Sequence, residues 1–309
     1  MLTKTSRHIP ILLEPISDFL VEGLRNLPES APKGVILDCT LGGGGHSASI
    51  LAKMKAHPTL LKHCVMGLDR DPEAVARNRA KFSEEISKGQ VEVVYSAFSD
   101  ALKAVGDRPI YGLLADLGVS SDQIDSETRG FSFRFEGVLD MRMNPAAGES
   151  VAELLSEIHE TALADMIWKY GEDRFSRKIA RKIVDLRSRG ALPKTSAELA
   201  EAIATVFPPA QRYKGIHPAT RTFQALRIYV NDELGELEKL IREVFPRVAQ
   251  GGHLAVLAFH SLEDRLVKEA FRTHELYDLP SRKAIQASDQ EVEQNPRSRS
   301  AKLRFAIRK

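Results

Sequence analysis

Between Gly34 and Asp116 the chain alternates short, continuous apolar runs with amphipathic or polar stretches. The runs at 35–37, 64–68, 91–95 (VEVVY) and 111–115 (YGLLA) are too short for buried helices and predict strands. The segments between them predict helices. Residues 48–55 follow the first run, and Pro72 stands at a first helical position, where its missing N–H costs nothing. Alternation at this spacing predicts a parallel, doubly wound sheet. Ahead of it, residues 8–27 begin HIPILLEPI and continue as an amphipathic helix with Ile16, Phe19, Leu20 and Leu24 on one side.

The alternation stops at Leu117. Residues 117–148 are glycine-rich and loop-like, and from Ser150 the pattern is helical. Ser150 with Glu153, and Thr195 with Glu198, have capping-box spacing. Between them Phe175, Ile179, Ile183 and Leu186 mark one helix face, stopped by Gly190 and Pro193. These signals predict a helical insertion over 118–218 in a discontinuous α/β domain of residues 1–117 and 219–309. Phe223, Leu226, Val230, Leu234, Leu237, Ile241 and Val244 step by three or four and predict one long amphipathic helix. Gly251 and Gly252 then lead into HLAVLAF, a fifth strand, followed by the helix SLEDRLVKEAFR. KLRFAI at 302–307 alternates as a last strand, expected antiparallel.

The first strand runs into DCTLGGGGHS, a glycine turn before a helix start. Glycine accepts φ > 0 and lets another group approach the backbone closely, and the helix start adds N–H donors and partial positive charge. In open α/β sheets ligands sit at the carboxyl ends of the strands. Here those ends carry Gly42 to His46, Asp69, Phe98 and Asp116. Asp69 is placed to accept from the two hydroxyls of a ribose, or to cap the next helix. Phe98 suits an adenine face or the core. Two cofactors fit this corner, a nicotinamide dinucleotide and S-adenosylmethionine. The dinucleotide fingerprint G-x-G-x-x-G lacks its third glycine, since Ser47 stands there, and no P-loop Lys-Ser/Thr follows. Five parallel strands and a final antiparallel one favour S-adenosylmethionine.

Composition narrows the class further. Hydrophobic residues are 43% and charged residues 28% of 309, ordinary for a soluble protein. Lys plus Arg is 44 against 42 Asp plus Glu, so a net charge of +2 argues against a generally basic protein and leaves the partner to local patches. Cys39 and Cys64 are the two cysteines, both in predicted strands, which suits a reducing compartment; no cluster has zinc spacing and no metal is expected. The broken apolar run at the N-terminus is neither a signal peptide nor a membrane span, and a cytoplasmic location is expected.

The chain resembles the bacterial ribosomal small-subunit RNA (cytosine-N4)-methyltransferase family over nearly its whole length. The resemblance runs through HIPILLEP, DCTLGGGGHS, GLDRDPEA, LLADLGVSSDQID, RGFSF, LDMRM, YGEDRFSRKIARKIV, HPATRTFQALRIYVNDEL, FHSLEDRLVK and NPRSRSAKLR, while the segment after Arg272 is short beside many relatives. It implies a class I methyltransferase domain, a Rossmann-like sheet, with an inserted all-helical substrate-recognition domain. The implied S-adenosylmethionine pocket falls on Gly44, Gly45, His46, Asp69, Phe98, Asp116 and Gln123. The implied reaction methylates the exocyclic amine of a cytidine in 16S ribosomal RNA, within an assembled or nearly assembled subunit, and a homodimer is compatible with it.

That amine is a weak nucleophile, so positioning supplies much of the rate. Asp116, the one carboxylate at the end of the fourth strand, is the candidate acceptor for the amine hydrogens. A target base must leave its stack. Phe131 and Phe133, flanked by Arg129 and Arg134, are candidates to hold it, or else pack the insertion. Arg177, Arg181 and Lys182 lie in a basic run from Arg174 to Arg189 that is either an RNA face or a solvated helix face. His217 and Arg221 in HPATRT, and Arg297, Arg299, Lys302 and Arg304 in the tail, add local charge. Ser261, Glu263 and Asp264 suggest a helix cap with His260 packed at the sheet edge, in preference to a general base. A nicotinamide-dependent oxidoreductase and a non-catalytic RNA-binding factor stay open as alternatives.

Overall fold

The computed structural model describes residues 10–212, 215–273 and 275–309. Each apolar run forms a strand of one sheet: β1 (Val35–Asp38), β2 (Cys64–Asp69), β3 (Val91–Tyr95), β4 (Ile110–Asp116), β5 (Val248–Ala258), β6 (Tyr277–Asp278) and β7 (Lys302–Arg308). The strand order is β3-β2-β1-β4-β5-β7-β6. β1 to β5 pair in parallel, and β7 returns antiparallel between β5 and the short edge strand β6. This is the class I Rossmann-like α/β fold with an antiparallel last strand. The order reverses at β1, whose neighbours are β2 and β4, and that switch point is where such sheets bind ligands.

The period of two along each strand divides the core. Val35 and Leu37 pack on one face with Met66, Leu113, Val256, Phe245 and Phe271. Ile36 points to the other, with Leu114, Leu257 and the buried stripe Ile16, Leu20 and Leu24 of helix Leu13–Arg25. That helix is the amphipathic element expected over 8–27; His8 and Ile9 lie outside the described residues. β5 starts earlier than HLAVLAF, at Val248, because Gly251 adopts φ +77° and the ladder shifts register there instead of ending.

The chain divides into two compact units, one of residues up to Gly118 with Leu234–Lys309, the other Val119–Glu233. The return to the sheet unit therefore comes at Leu234, later than the expected 219. Helix Thr220–Asn231 contributes Phe223 and Leu226 to the core of the helical unit, together with Leu155, Leu163, Ile167, Ile183 and Leu199. For the same reason the single long helix expected from Phe223 to Val244 is broken. Asp232 adopts the left-handed conformation, φ 48° and ψ 41°, and the chain resumes in helix Glu233–Lys239. Arg227 reaches past the break to a bidentate ion pair with Glu233, 2.7 and 2.8 Å. Both predicted capping boxes are present, at Ser150 and Thr195.

At the break, Asn231 is buried and holds a loop of the helical unit. Its Nδ2 donates to the Met141 carbonyl at 2.7 Å, and its Oδ1 accepts from the Met143 N–H at 2.7 Å. Met141 between these bonds has φ 58°. Asn231→Ala is expected to lower stability by about 2–4 kcal/mol, because two backbone groups lose their buried partners at about 1–3 kcal/mol each. Urea denaturation followed by Trp168 fluorescence measures this; a loss under about 0.5 kcal/mol would mean that the loop is held by packing alone.

Candidate functional site

β1 ends at Asp38, which is buried and accepts from Ser47 Oγ at 2.6 Å and from the Thr40 N–H at 3.2 Å. Burial pushes its carboxyl up to about 6 against those two bonds. Thr40 Oγ1 accepts from the Asp116 N–H at 2.6 Å and so ties the end of β1 to the end of β4. The glycine turn is pinned on both sides. The Gly42 N–H donates to Asp69 Oδ2 at 2.8 Å. The carbonyls turn toward helix Pro72–Lys81, where Asn78 Nδ2 donates to Gly42 O at 2.8 Å and Lys81 Nζ to Gly43 O at 2.8 Å and Gly44 O at 3.1 Å.

Gly44 is the N-cap of helix Gly45–Lys55 and has φ 68°. A Cβ on it would meet Asn78 Oδ1 at 2.1 Å and Phe82 at 2.9 Å, and a Cβ on Gly45 would meet Pro10 Cγ at 2.3 Å. The close approach that the glycines permit is thus made by the chain's own side chains, which shape the corner.

Asp69 takes one backbone N–H on each oxygen, Gly42 on Oδ2 and Asp71 on Oδ1, both at 2.8 Å. A carboxylate has about four acceptor positions, so two stay available for a diol. Burial raises Asp69 to about 6, opposed by these two bonds and assisted by Asp71 and Asp38. Asp71, not Asp69, caps helix Pro72–Lys81, accepting from the Glu73 N–H. Asp116 keeps 26% of its side chain exposed, and among the described residues no hydrogen bond ends on its carboxylate. Desolvation by its surroundings raises it to about 6; His46 works against this, and Asp38 and Glu263 with it. His46 Nδ1 lies 3.7 Å from Asp116 Oδ2, and its Nε2 lies 3.1 Å from the Ile11 carbonyl oxygen.

Gly44, Gly45, His46, Asp69 and Asp116 are therefore brought together in the sheet unit. The donor set fits a nucleoside cofactor with a cationic centre. Three acids crowd the corner, which favours a sulfonium and an ammonium over a pyrophosphate. Phe98 is half-buried after β3 and packs on the sheet core. Asp38, Thr40, Ser47, Asn78 and Lys81 belong to the corner without having been singled out. The Asp38–Ser47 pair has a signal in D-C-T…H-S; Asn78 and Lys81 have none in the sequence.

In the helical unit, Gln123 is buried in helix Ser121–Asp125 and its Oε1 completes a capping box with Ser120. Phe133 packs at 4.6 Å against His217, the rings tilted by 31°, and at 5.3 Å edge-on to Phe223, and Phe131 is half-buried against the same core. Arg129 is buried on the carbonyls of Arg142 and Met143. Burial lowers His217, whose Nδ1 accepts from the Ala219 N–H. Arg221 is held by the Glu172 carbonyl at 3.0 Å. Arg134 and Arg177 are exposed, Arg181 pairs with Glu160 at 3.4 Å, and Lys182 is half-buried. In the tail, Lys302 and Arg304 pair with Asp264 at 3.2 and 2.7 Å, which removes them from a free basic cluster. His260 sits at a helix start, where Glu263 Oε2 accepts from the Phe259 N–H at 2.9 Å, as a cap arrangement requires.

Gly44→Ala is expected to destabilise the protein by about 1–2 kcal/mol from the left-handed backbone alone, with more from displacing Asn78. Thermal unfolding reads this, and a midpoint equal to the unsubstituted protein's would show that the turn relaxes freely.

The model of the MraW methylase family matches residues 5–309. A protein of Prochlorococcus marinus described as ribosomal RNA small subunit methyltransferase H is 48% identical over 308 residues, covering 99% of this chain and 96% of its own. One of the same description from Synechococcus sp. is 47% identical and covers 97% of each chain. With this match over almost its full length, on a sheet whose switch point carries the acidic corner, the chain belongs to the MraW methylase family.

Proposed function

We propose that the protein transfers the methyl group of S-adenosylmethionine to the exocyclic N4 of a cytidine in small-subunit ribosomal RNA. The observation that carries this is the Asp116 carboxylate, without a hydrogen bond among the described residues and partly exposed at the end of β4 beside the switch point. Bound S-adenosylmethionine supplies an electrophilic methyl group on a sulfonium. Asp69 would accept from its ribose hydroxyls with its two remaining acceptor positions. Gly44, Gly45 and His46 would shape the turn that receives it, and Phe98 would border the adenine. The resemblance also assigns Gln123 to the cofactor; its Oε1 accepts from the Ser120 N–H at 3.1 Å.

Asp116 would accept a hydrogen bond from the N4 amine, which turns the nitrogen lone pair toward the methyl group, and would receive the proton that the nitrogen loses as its bond to the methyl carbon forms and the methyl–sulfur bond breaks to leave a neutral thioether. Burial favours this second role: an acid raised to about 6 is a better proton acceptor than an ordinary carboxylate. No protein metal is called on. The helical unit recognises the RNA. Exposed Arg134 and Arg177, with Arg181, Lys182 and Arg221, give a chain of net charge +2 a local basic surface, and Phe131 is the aromatic candidate for the unstacked base. Phe133 and His217 support it from the core. A local basic surface suits a folded, assembled or nearly assembled subunit, and a homodimer is compatible with this. Cys39 and Cys64 are free and buried, as a cytoplasmic protein allows, and no helix among the described residues is long and apolar enough to cross a membrane.

Two results test the assignment. Asp116→Asn keeps the shape and removes the charge. Single-turnover methylation with cofactor well past saturation should fall about 10²-fold, corresponding to roughly 3 kcal/mol of transition-state stabilisation. Full recovery at saturation would take Asp116 out of the chemistry and leave it as a cofactor contact. The second result is pH dependence. Asp69 must be ionised to accept from ribose, so cofactor affinity should hold from about pH 8 to about pH 7 and weaken as pH falls through about 6. In Asp69→Asn this dependence should become shallower, the remainder belonging to Asp38 and Asp116, which are raised to the same pH. Calorimetric titration measures both, and an unchanged profile in the variant would place the ribose elsewhere.

A further inference from the structure

Pro10, Ile11 and Leu12 form a short strap ahead of helix Leu13–Arg25. Leu12, the N-cap of that helix, has φ 53° and ψ 38° and no side-chain cap. A leucine avoids this region unless something holds it there. What holds it comes from the other end of the chain: the Leu12 N–H donates to Glu291 Oε1 at 2.7 Å. Glu291 lies in helix Asp289–Gln294, capped by Ser288. The segment before it is fixed to the sheet by the reciprocal bonds of Ile285 with Leu303 of β7, 2.8 and 2.9 Å. Glu291 is thus a post on the rigid sheet, and the strap is tied to it.

The other end of the strap reaches the acidic corner. Pro10 covers Gly45 so closely that no Cβ fits there. The Ile11 carbonyl faces His46 Nε2 at 3.1 Å, and His46 Nδ1 faces Asp116 Oδ2 at 3.7 Å. The Ile11 carbonyl can only accept, so Nε2 donates to it; this bond orients the ring and places Nδ1 beside the carboxylate, at 3.7 Å too far for a hydrogen bond.

We propose that Glu291 is a positioning residue: by latching the Pro10–Leu12 strap it holds His46 in register with Asp116. When the latch is lost, Leu12 relaxes from the left-handed region, the Ile11 carbonyl turns away, and the His46 ring is no longer fixed. The inference rests on the reading of this corner as the methyl-transfer site. It also gives the short segment after Arg272 a role in the reaction.

A double-mutant cycle tests it, with methyl transfer to small subunits and thermal unfolding measured in parallel. Glu291→Ala should lower kcat/KM for S-adenosylmethionine about tenfold, and Glu291→Gln, which keeps an acceptor oxygen, should restore it to within about twofold. In a His46→Ala background, Glu291→Ala should cost less than about twofold in activity while still lowering the unfolding midpoint. Equal activity losses in both backgrounds would make Glu291 a general stabilising residue and overturn the proposal, as would wild-type activity of Glu291→Ala. If His46→Ala alone leaves cofactor binding and turnover intact, the corner is not the site, and the latch falls with it. If His46→Ala is impaired and Glu291→Ala is not, the latch alone falls.

Discussion

The hydrogen bond from Ser47 Oγ to the buried carboxylate of Asp38 is the constraint on which the rest of the corner depends. It joins the last residue of β1 to the first turn of helix Gly45–Lys55 and closes the glycine turn between them. Thr40, fixed by the same carboxylate, locks the end of β4 and so places Asp116. The arrangement works against folding. Asp38, Asp69 and Asp116 are each raised to about 6, chiefly by burial, so the ionised acids oppose the folded state above that pH and the penalty fades as pH falls through it. For Asp38 the rise corresponds to roughly 3 kcal/mol at neutral pH. Asp38 holds the turn, whereas Asp69 and Asp116 keep acceptor positions that a cationic cofactor would use, and its charge would relieve the repulsion among the three.

The turn itself is held by donors on its far side. Asn78 and Lys81 take the carbonyls of Gly42, Gly43 and Gly44, and Asp69 takes the Gly42 N–H. Fixing four consecutive glycines costs much conformational entropy, which these hydrogen bonds offset. Gly44 and Gly45 are glycine because Asn78, Phe82 and Pro10 occupy the space of a side chain, so shape at the corner is a matter of the chain packing on itself.

Much of this was legible in the sequence. Apolar runs marked β1 to β5, the alternation in KLRFAI marked β7, and both capping boxes stood at their expected residues, because each is a local pattern. Asp69 and Asp116 were legible as strand-end acids. The apolar stripe from Phe223 to Val244 misled because it keeps helical phase across Asp232; the turn there is set by which core each half joins and by the Arg227–Glu233 pair. Phe133 was open between holding a base and packing the insertion, and it packs against His217 and Phe223; the tail cations Lys302 and Arg304 are drawn to Asp264. The Leu12–Glu291 bond spans nearly the whole chain, and no local pattern announces a contact of that kind.

The central claim is the identity of the methylated atom. Small subunits from cells lacking this activity should be incubated with the protein and S-adenosylmethionine carrying an isotopically labelled methyl group, and the RNA digested to nucleosides for mass spectrometry. The account predicts label in N4-methylcytidine. Label confined to a ring carbon, to a ribose oxygen or to another base would contradict it, as would subunits that bind the protein and acquire no label.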